Sequence, residues 1–272
     1  ELVQRDTIRR QRRLAAVAGS SLVGMLIATG LAVTAIQARD AAQEQRRQAE
    51  GLVGFMLGDL KDKLEPIGRL DVLDSVGARA LAYYEHQEKA RLSDASLAQR
   101  SKALTLMGQI ASDGGNVDSA LRLYREAFES TAELVRREPD DPQRIFDHAQ
   151  NVFYVGDVAR QRGDTRTTEA SLHEYKRLAT KLIASNPSKP EWQMEGIYAD
   201  TNLGILLLES GRYREAATVF ENSLADREKL AANAPDDVQF RKALISVLAW
   251  LAEAREKEGR LDDGLAQRER QI

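Results

Sequence analysis

The sequence predicts an all-α chain in which one transmembrane helix precedes a tandem array of long helical hairpins, and three observations carry that expectation. A glycine-centred signature recurs every 48 residues: MGQIASDGGNVDSA from Met107, VGDVARQRGDTRTT from Val155, LGILLLESGRYREA from Leu203 and, more weakly, LAEAREKEGRLDDG from Leu251. Twenty-three uncharged residues, Leu14 to Ile36, follow the basic run Arg9-Arg10-Gln11-Arg12-Arg13. The 272 residues are 43% hydrophobic and 30% charged with only six prolines, a composition that suits helices and argues against disorder.

Residues 1–13 form a basic flank and 14–36 the span. As a helix the span covers roughly 35 Å, enough for a hydrocarbon core of about 30 Å. Val33-Thr34-Ala35 could end a cleaved signal peptide, but the apolar stretch exceeds the usual ~7–15 residues of one. Five arginines precede the span, whereas Arg39, Arg46 and Arg47 follow it among Asp40 and Glu44. This bias predicts a cytoplasmic N-terminus in a single-pass inner (cytoplasmic) membrane protein, with the array on the far side, the periplasm of a bacterium. Ala16, Ser20, Gly24, Ala28 and Ala32 are four apart and make a small-residue stripe. Such a stripe lets spans pack closely, although a segment this rich in small residues yields one by chance as readily.

Residues 37–64 continue as a helical stalk. Ala42, Ala49 and Met56 have a thin heptad spacing that could pair two stalks, and packing of Leu52, Val53, Phe55 and Leu60 on a following hairpin explains them equally well. Gly68-Arg69-Leu70-Asp71 matches Gly259-Arg260-Leu261-Asp262, so residues 65–92 are expected to form a degenerate leading hairpin.

The array proper is expected in units 93–140, 141–188, 189–236 and 237–272. Gly108, Gly156, Gly204 and Ala252 fall in register, as do Gly115, Gly163, Gly211 and Gly259, then Ala120, Thr168, Ala216 and Gly264. Pro139, Pro187 and Pro235 close three units. Helix starts follow: Ser93, Asp141 and Asp237 can cap, and Pro142 and Pro190 stand at first helical positions, where a missing N–H costs nothing. The chain stops partway through the fourth unit's second helix, which leads us to expect a fragment of a longer protein.

This order of residues resembles the tetratricopeptide repeat: Leu203-Gly204 on a first helix, Gly211 at a turn, then Ala216 and Phe220 on a second, with Met107, Gly108, Gly115, Ala120, Tyr124 and Ala127 as the first unit's counterparts. The usual unit has about 34 residues, fourteen fewer than here. Those fourteen divide into seven on the second helix and seven before the next signature, and about seven residues add close to two turns, returning the same face to the partner. The resemblance implies a right-handed superhelical array of four to five long hairpins whose first helices line a concave groove. It places there Lys102, Thr105 and Gln109; Gln150, Phe153, Asp157 and Arg160; Tyr198, Thr201 and Ile205; and Ser246, Ala249 and Glu253. A stretch QAEGLVGFML from Gln48 also looks like the linker of bacterial membrane proteins that carry a kinase, cyclase or Toll/interleukin-receptor-like domain on the other side of the membrane.

Nothing in the sequence spells catalysis. There is no phosphate-binding glycine loop, helical zinc-protease motif or nucleophile elbow. The three histidines, His86, His148 and His173, are dispersed, and no cysteine is present. Asp140-Asp141 and Asp236-Asp237 sit at expected helix starts, where carboxylates favour the positive end of the dipole. Tyr83-Tyr84, Trp192 and Trp250 read as packing. Net charge is −3, with about +3 on residues 1–13, so no nucleic-acid surface is expected. We therefore expect no cofactor and no metal, and three kinds of contact: a protein or peptide partner in the groove, the lipid bilayer, and self-association into a homo-oligomer as an alternative, structural role.

Overall fold

The structure is a computed structural model that describes residues 25, 28–45, 48–49, 51, 82 and 92–271. The chain divides into two compact units, Glu1–Val53 and Gly54–Ile272.

In the first unit, residues 28–45 are helical and almost wholly exposed. Thr29 and Thr34 turn their hydroxyls back onto the carbonyls of Met25 and Gly30, 2.8 and 3.1 Å away, which removes two polar groups from an otherwise apolar surface. Ala28 and Ala32 lie four apart on this helix, whereas Ala16, Ser20 and Gly24 lie outside the described residues. Most of the expected span lies outside them too, and no described helix is long and apolar enough to cross a membrane. The expected stalk is described only as far as residue 51, and the expected leading hairpin falls outside apart from residues 82 and 92.

The second unit holds, among the described residues, eight helices: α1 (Asp94–Asp113), α2 (Val117–Arg137), α3 (Pro142–Gln161), α4 (Thr165–Ser185), α5 (Pro190–Glu209), α6 (Tyr213–Asn233), α7 (Val238–Lys257) and α8 (Leu261–Glu269). Each odd-numbered helix starts 48 residues after the last, and so does each even-numbered one. Every helix packs on its successor, and α5 also touches α7.

Local chemistry sets the helix starts. Ser93 accepts a bond from the Ser96 N–H, Asp141 from Gln143 and Arg144, and Asp237 from Gln239 and Phe240. Lys189 makes no side-chain cap, and Pro190 begins α5 with its fixed φ instead. The hairpin turns are four copies of one device. Gly115, Gly163, Gly211 and Gly259 all have positive φ, between 73 and 87°. The next residue's N–H reaches back five residues to a helix carbonyl, as Asn116 does to Ala111 at 2.7 Å and Arg260 to Arg255 at 2.8 Å. That is the Schellman ending, which only a residue free of a Cβ adopts cheaply.

Packing within a hairpin depends on the second glycine set. A Cβ on Gly108 would lie 2.7 Å from the Tyr124 ring, one on Gly156 2.7 Å from Ser171, and one on Gly204 2.3 Å from Phe220. The opposing small residues Ala120, Thr168 and Ala216 are buried. The core then runs between units, with Leu172 of α4, Leu203 and Leu207 of α5, Phe220 of α6 and Val247 and Leu251 of α7 in one cluster. No unit covers its apolar face alone, the property that makes repeat arrays cooperative with their neighbours.

Candidate functional site

The odd-numbered helices lie side by side, joined across a period by polar contacts. Thr105 Oγ1 donates to Asn151 Oδ1 at 2.7 Å, Gln109 Nε2 to Tyr154 Oη at 2.8 Å, and Gln150 Nε2 to Glu195 Oε2 at 2.7 Å. Arg160 Nη1 bonds Glu209 Oε1 at 3.1 Å. These contacts tie α1 to α3 and α3 to α5, so four residues expected to face a partner spend hydrogen-bonding capacity on the neighbouring helix. Thr201 does the same, accepting at 2.9 Å from Arg227 of α6 while donating to the Ile197 carbonyl. Asp157 is held by Arg160 and Gln161. Phe153 is half-buried, with its ring 5.5 Å from that of Tyr175 and 5.8 Å from that of Tyr154.

The remaining expected residues are more accessible. Lys102, Tyr198 and Ser246 are exposed, Tyr198 by 48%, while Ile205, Ala249 and Glu253 are half-buried. Among the described residues no carboxylate lies within ion-pairing distance of Lys102.

One cleft opens on this face, where α1 and α3 part over α2. It has a volume of about 190 Å³. Lys102, Thr105, Gln109 and Gln150, all expected groove residues, line it together with Ser101, Thr131, Asp147 and Asn151 and the apolar side chains of Ala98, Leu106 and Leu134. A broader hollow of about 580 Å³, bounded by Phe128, Asp164, Arg166 and Glu174, contains none of the expected groove residues.

Two carboxylates at equivalent positions, Asp147 and Glu195, give this face its electrostatics. Burial raises the pKa of both above the ordinary carboxylate range. Glu195 is only 6% exposed and accepts from Tyr175 Oη at 2.6 Å and from Gln150. These two bonds favour its ionised form but do not outweigh desolvation. Asp147 takes a 2.8 Å bond from Gln143 Nε2 and feels the attraction of Lys102.

Beneath the face lies Arg227, whose guanidinium is 1% exposed and bonds the Ala243 and Ile197 carbonyls at 3.1 Å each as well as Thr201. It thereby joins α6 to both α5 and α7. Burial brings its pKa down to about 10, with Asp200 opposing. Sequence reasoning did not single out Asp147, Asn151, Tyr175, Glu195 or Arg227. The available signal was the register: Arg227 is one and two periods beyond Ala179 and Thr131, both buried. The histidines differ in setting: His148 is buried against Phe128 and Thr131, His173 is exposed near Glu169, and His86 lies outside the described residues. Among the described residues no group of three or more His, Cys, Asp or Glu side chains could hold a metal ion.

No family model matches the sequence, and no curated protein matches it. Solved structures do. BtubC (BKLC) from P. vanneervenii is 18% identical with a TM-score of 0.66, over 86% of this chain and 84% of that one. The nearly identical TPR-like repeats of a protein described as a kinesin light chain from Podosopora anserina are 12% identical with a TM-score of 0.58, over 80% and 94%. At such identities the likeness concerns architecture alone, and that architecture is a TPR-like array of helical hairpins.

Proposed function

We propose that this chain is a membrane-anchored interaction module that holds a protein or peptide partner against the odd-numbered helices and does no chemistry itself. The observation that carries this reading is the cleft at α1 and α3, which gathers four of the expected groove residues beside the apolar side chains of Ala98, Leu106 and Leu134, with the exposed Tyr198 one period after Gln150. An apolar anchor with a polar rim is the arrangement by which partners are gripped, and tyrosine contributes strongly at such surfaces. The right-handed superhelix that the repeat resemblance implies would make this face the concave one. The uncharged span supports tethering in a bilayer and the flanking arginines a cytoplasmic N-terminus, with a signalling or effector domain as the other half of the protein.

Selection of binders from a random peptide library against the full chain in detergent tests the reading. Peptides whose affinity falls at least about tenfold in Tyr198→Ala and Lys102→Glu, and is unchanged in the outer-face variants Arg166→Glu and Lys229→Glu, support it. Binders that respond equally to both sets contradict it. For topology, a phosphatase fused after Ile272 should be active; a silent fusion reverses the orientation.

A further inference from the structure

The cleft at α1 and α3 presents an unusual combination. Lys102 and Asp147 bring opposite charges to one mouth, yet they do not pair with each other. Asp147 is half-buried, bonded by the neutral amide of Gln143, and carries a charge that its surroundings disfavour. Lys102 has no ionic partner among the described residues. Each therefore retains capacity for a ligand charge of the opposite sign, and the charge-assisted bonds they can make are the stronger kind. Apolar Ala98, Leu106 and Leu134 line the same cleft, beside the buried hydroxyl residues Ser101 and Thr131.

Size narrows the choice. A volume of about 190 Å³ is below the roughly 300–1,000 Å³ of pockets for drug-sized ligands, and amounts to about six waters' share of the liquid. It suits a molecule with few heavy atoms that carries both charges close together and one short apolar branch.

We propose that this cleft binds a free aliphatic α-amino acid as a zwitterion, its ammonium against Asp147, its carboxylate against Lys102 and its side chain on Leu106 and Leu134. The proposal deepens the partner-binding reading at the same cleft, but its ligand is small and its determinants are one cation and one anion.

Calorimetric titration of the full chain in detergent with alanine, valine, leucine, isoleucine and methionine tests this, with N-acetyl-leucine as the anion-only probe and leucinamide as the cation-only probe. At least one free amino acid should bind. Removing either charge from the ligand should weaken binding by about tenfold or more, as should Lys102→Met or Asp147→Asn, whereas Arg166→Glu should leave it unchanged. Both cleft variants keep the fold in reach, since Lys102 is exposed and asparagine retains an acceptor for Gln143. Failure of all five amino acids to bind, equal binding of N-acetyl-leucine or leucinamide, or indifference to either cleft variant would overturn the proposal. Because the peptide reading shares Lys102 and this cleft, its own failure is read separately, through the response of selected peptides to Tyr198→Ala, a residue outside the cleft lining.

Discussion

Gly204 lies directly beneath Phe220, so close that a Cβ on the glycine would sit 2.3 Å from the ring's Cζ. The ring is fully buried and has nowhere to move. Replacing Gly204 by alanine gains about 1 kcal/mol of helix propensity but forces an overpacked core, at about 1–3 kcal/mol. The sign should differ at Gly196, where the neighbour at 2.7 Å is only the terminal Cδ1 of Ile183. We expect Gly204→Ala to lower stability, by up to about 2 kcal/mol, and Gly196→Ala to be neutral or stabilising, as read by urea denaturation.

Glu195 is expected to respond to its substitutes in opposite ways. Glutamine offers the same acceptor to Tyr175 and Gln150 without a buried charge, so Glu195→Gln should be neutral or modestly stabilising at pH 7. Leucine leaves both donors without their partner, and Glu195→Leu should cost about 2–4 kcal/mol. Equal effects in denaturation curves would show that the carboxylate is not the partner of Tyr175.

His148 makes stability depend on pH. Burial lowers its pKa from 6.5 to about 4, Glu174 acting weakly upward and Arg177 downward. Between those values the unfolded chain binds a proton that the folded chain does not, so stability rises with pH across this window. The stabilisation is fully present above about 6.5, is lost as pH falls toward 4, and amounts to about 3 kcal/mol. Asp147 and Glu195, held above their ordinary values, act in the opposite sense at the acid end. Comparison of the protein with His148→Gln isolates the histidine: the difference between them should shrink by about 3 kcal/mol from pH 7 to pH 4, and a constant difference would contradict the assignment.

The caps, turns and glycine contacts were legible in the sequence because each is settled within one hairpin, over a few residues or one helix crossing. Asp141, Gly115 and Gly204 announce their roles through spacing alone. The state of the face was less legible. Gln150 read as a side chain open to a partner, but its amide goes to Glu195, 45 residues on. Such a bond depends on how far one odd-numbered helix is rotated against the next, and a one-dimensional register does not contain that rotation. The charge of Arg227 hid its burial in the same way: only the two helices that flank it, α5 and α7, supply the carbonyls and hydroxyl that make burial tolerable.

The account rests on neighbouring units stacking in register so that α1, α3 and α5 share one face. The absence of cysteine provides a clean background for testing this by cross-linking. Cysteine pairs at Thr105 and Asn151, and at Gln150 and Glu195, join residues whose side chains touch across a period. A short bis-maleimide should bridge each pair within one chain, while Thr105 paired with Glu195, two helices apart on the same face, should stay unbridged. Bridging of the two-helix pair, or failure of both neighbouring pairs, would contradict the stacked arrangement.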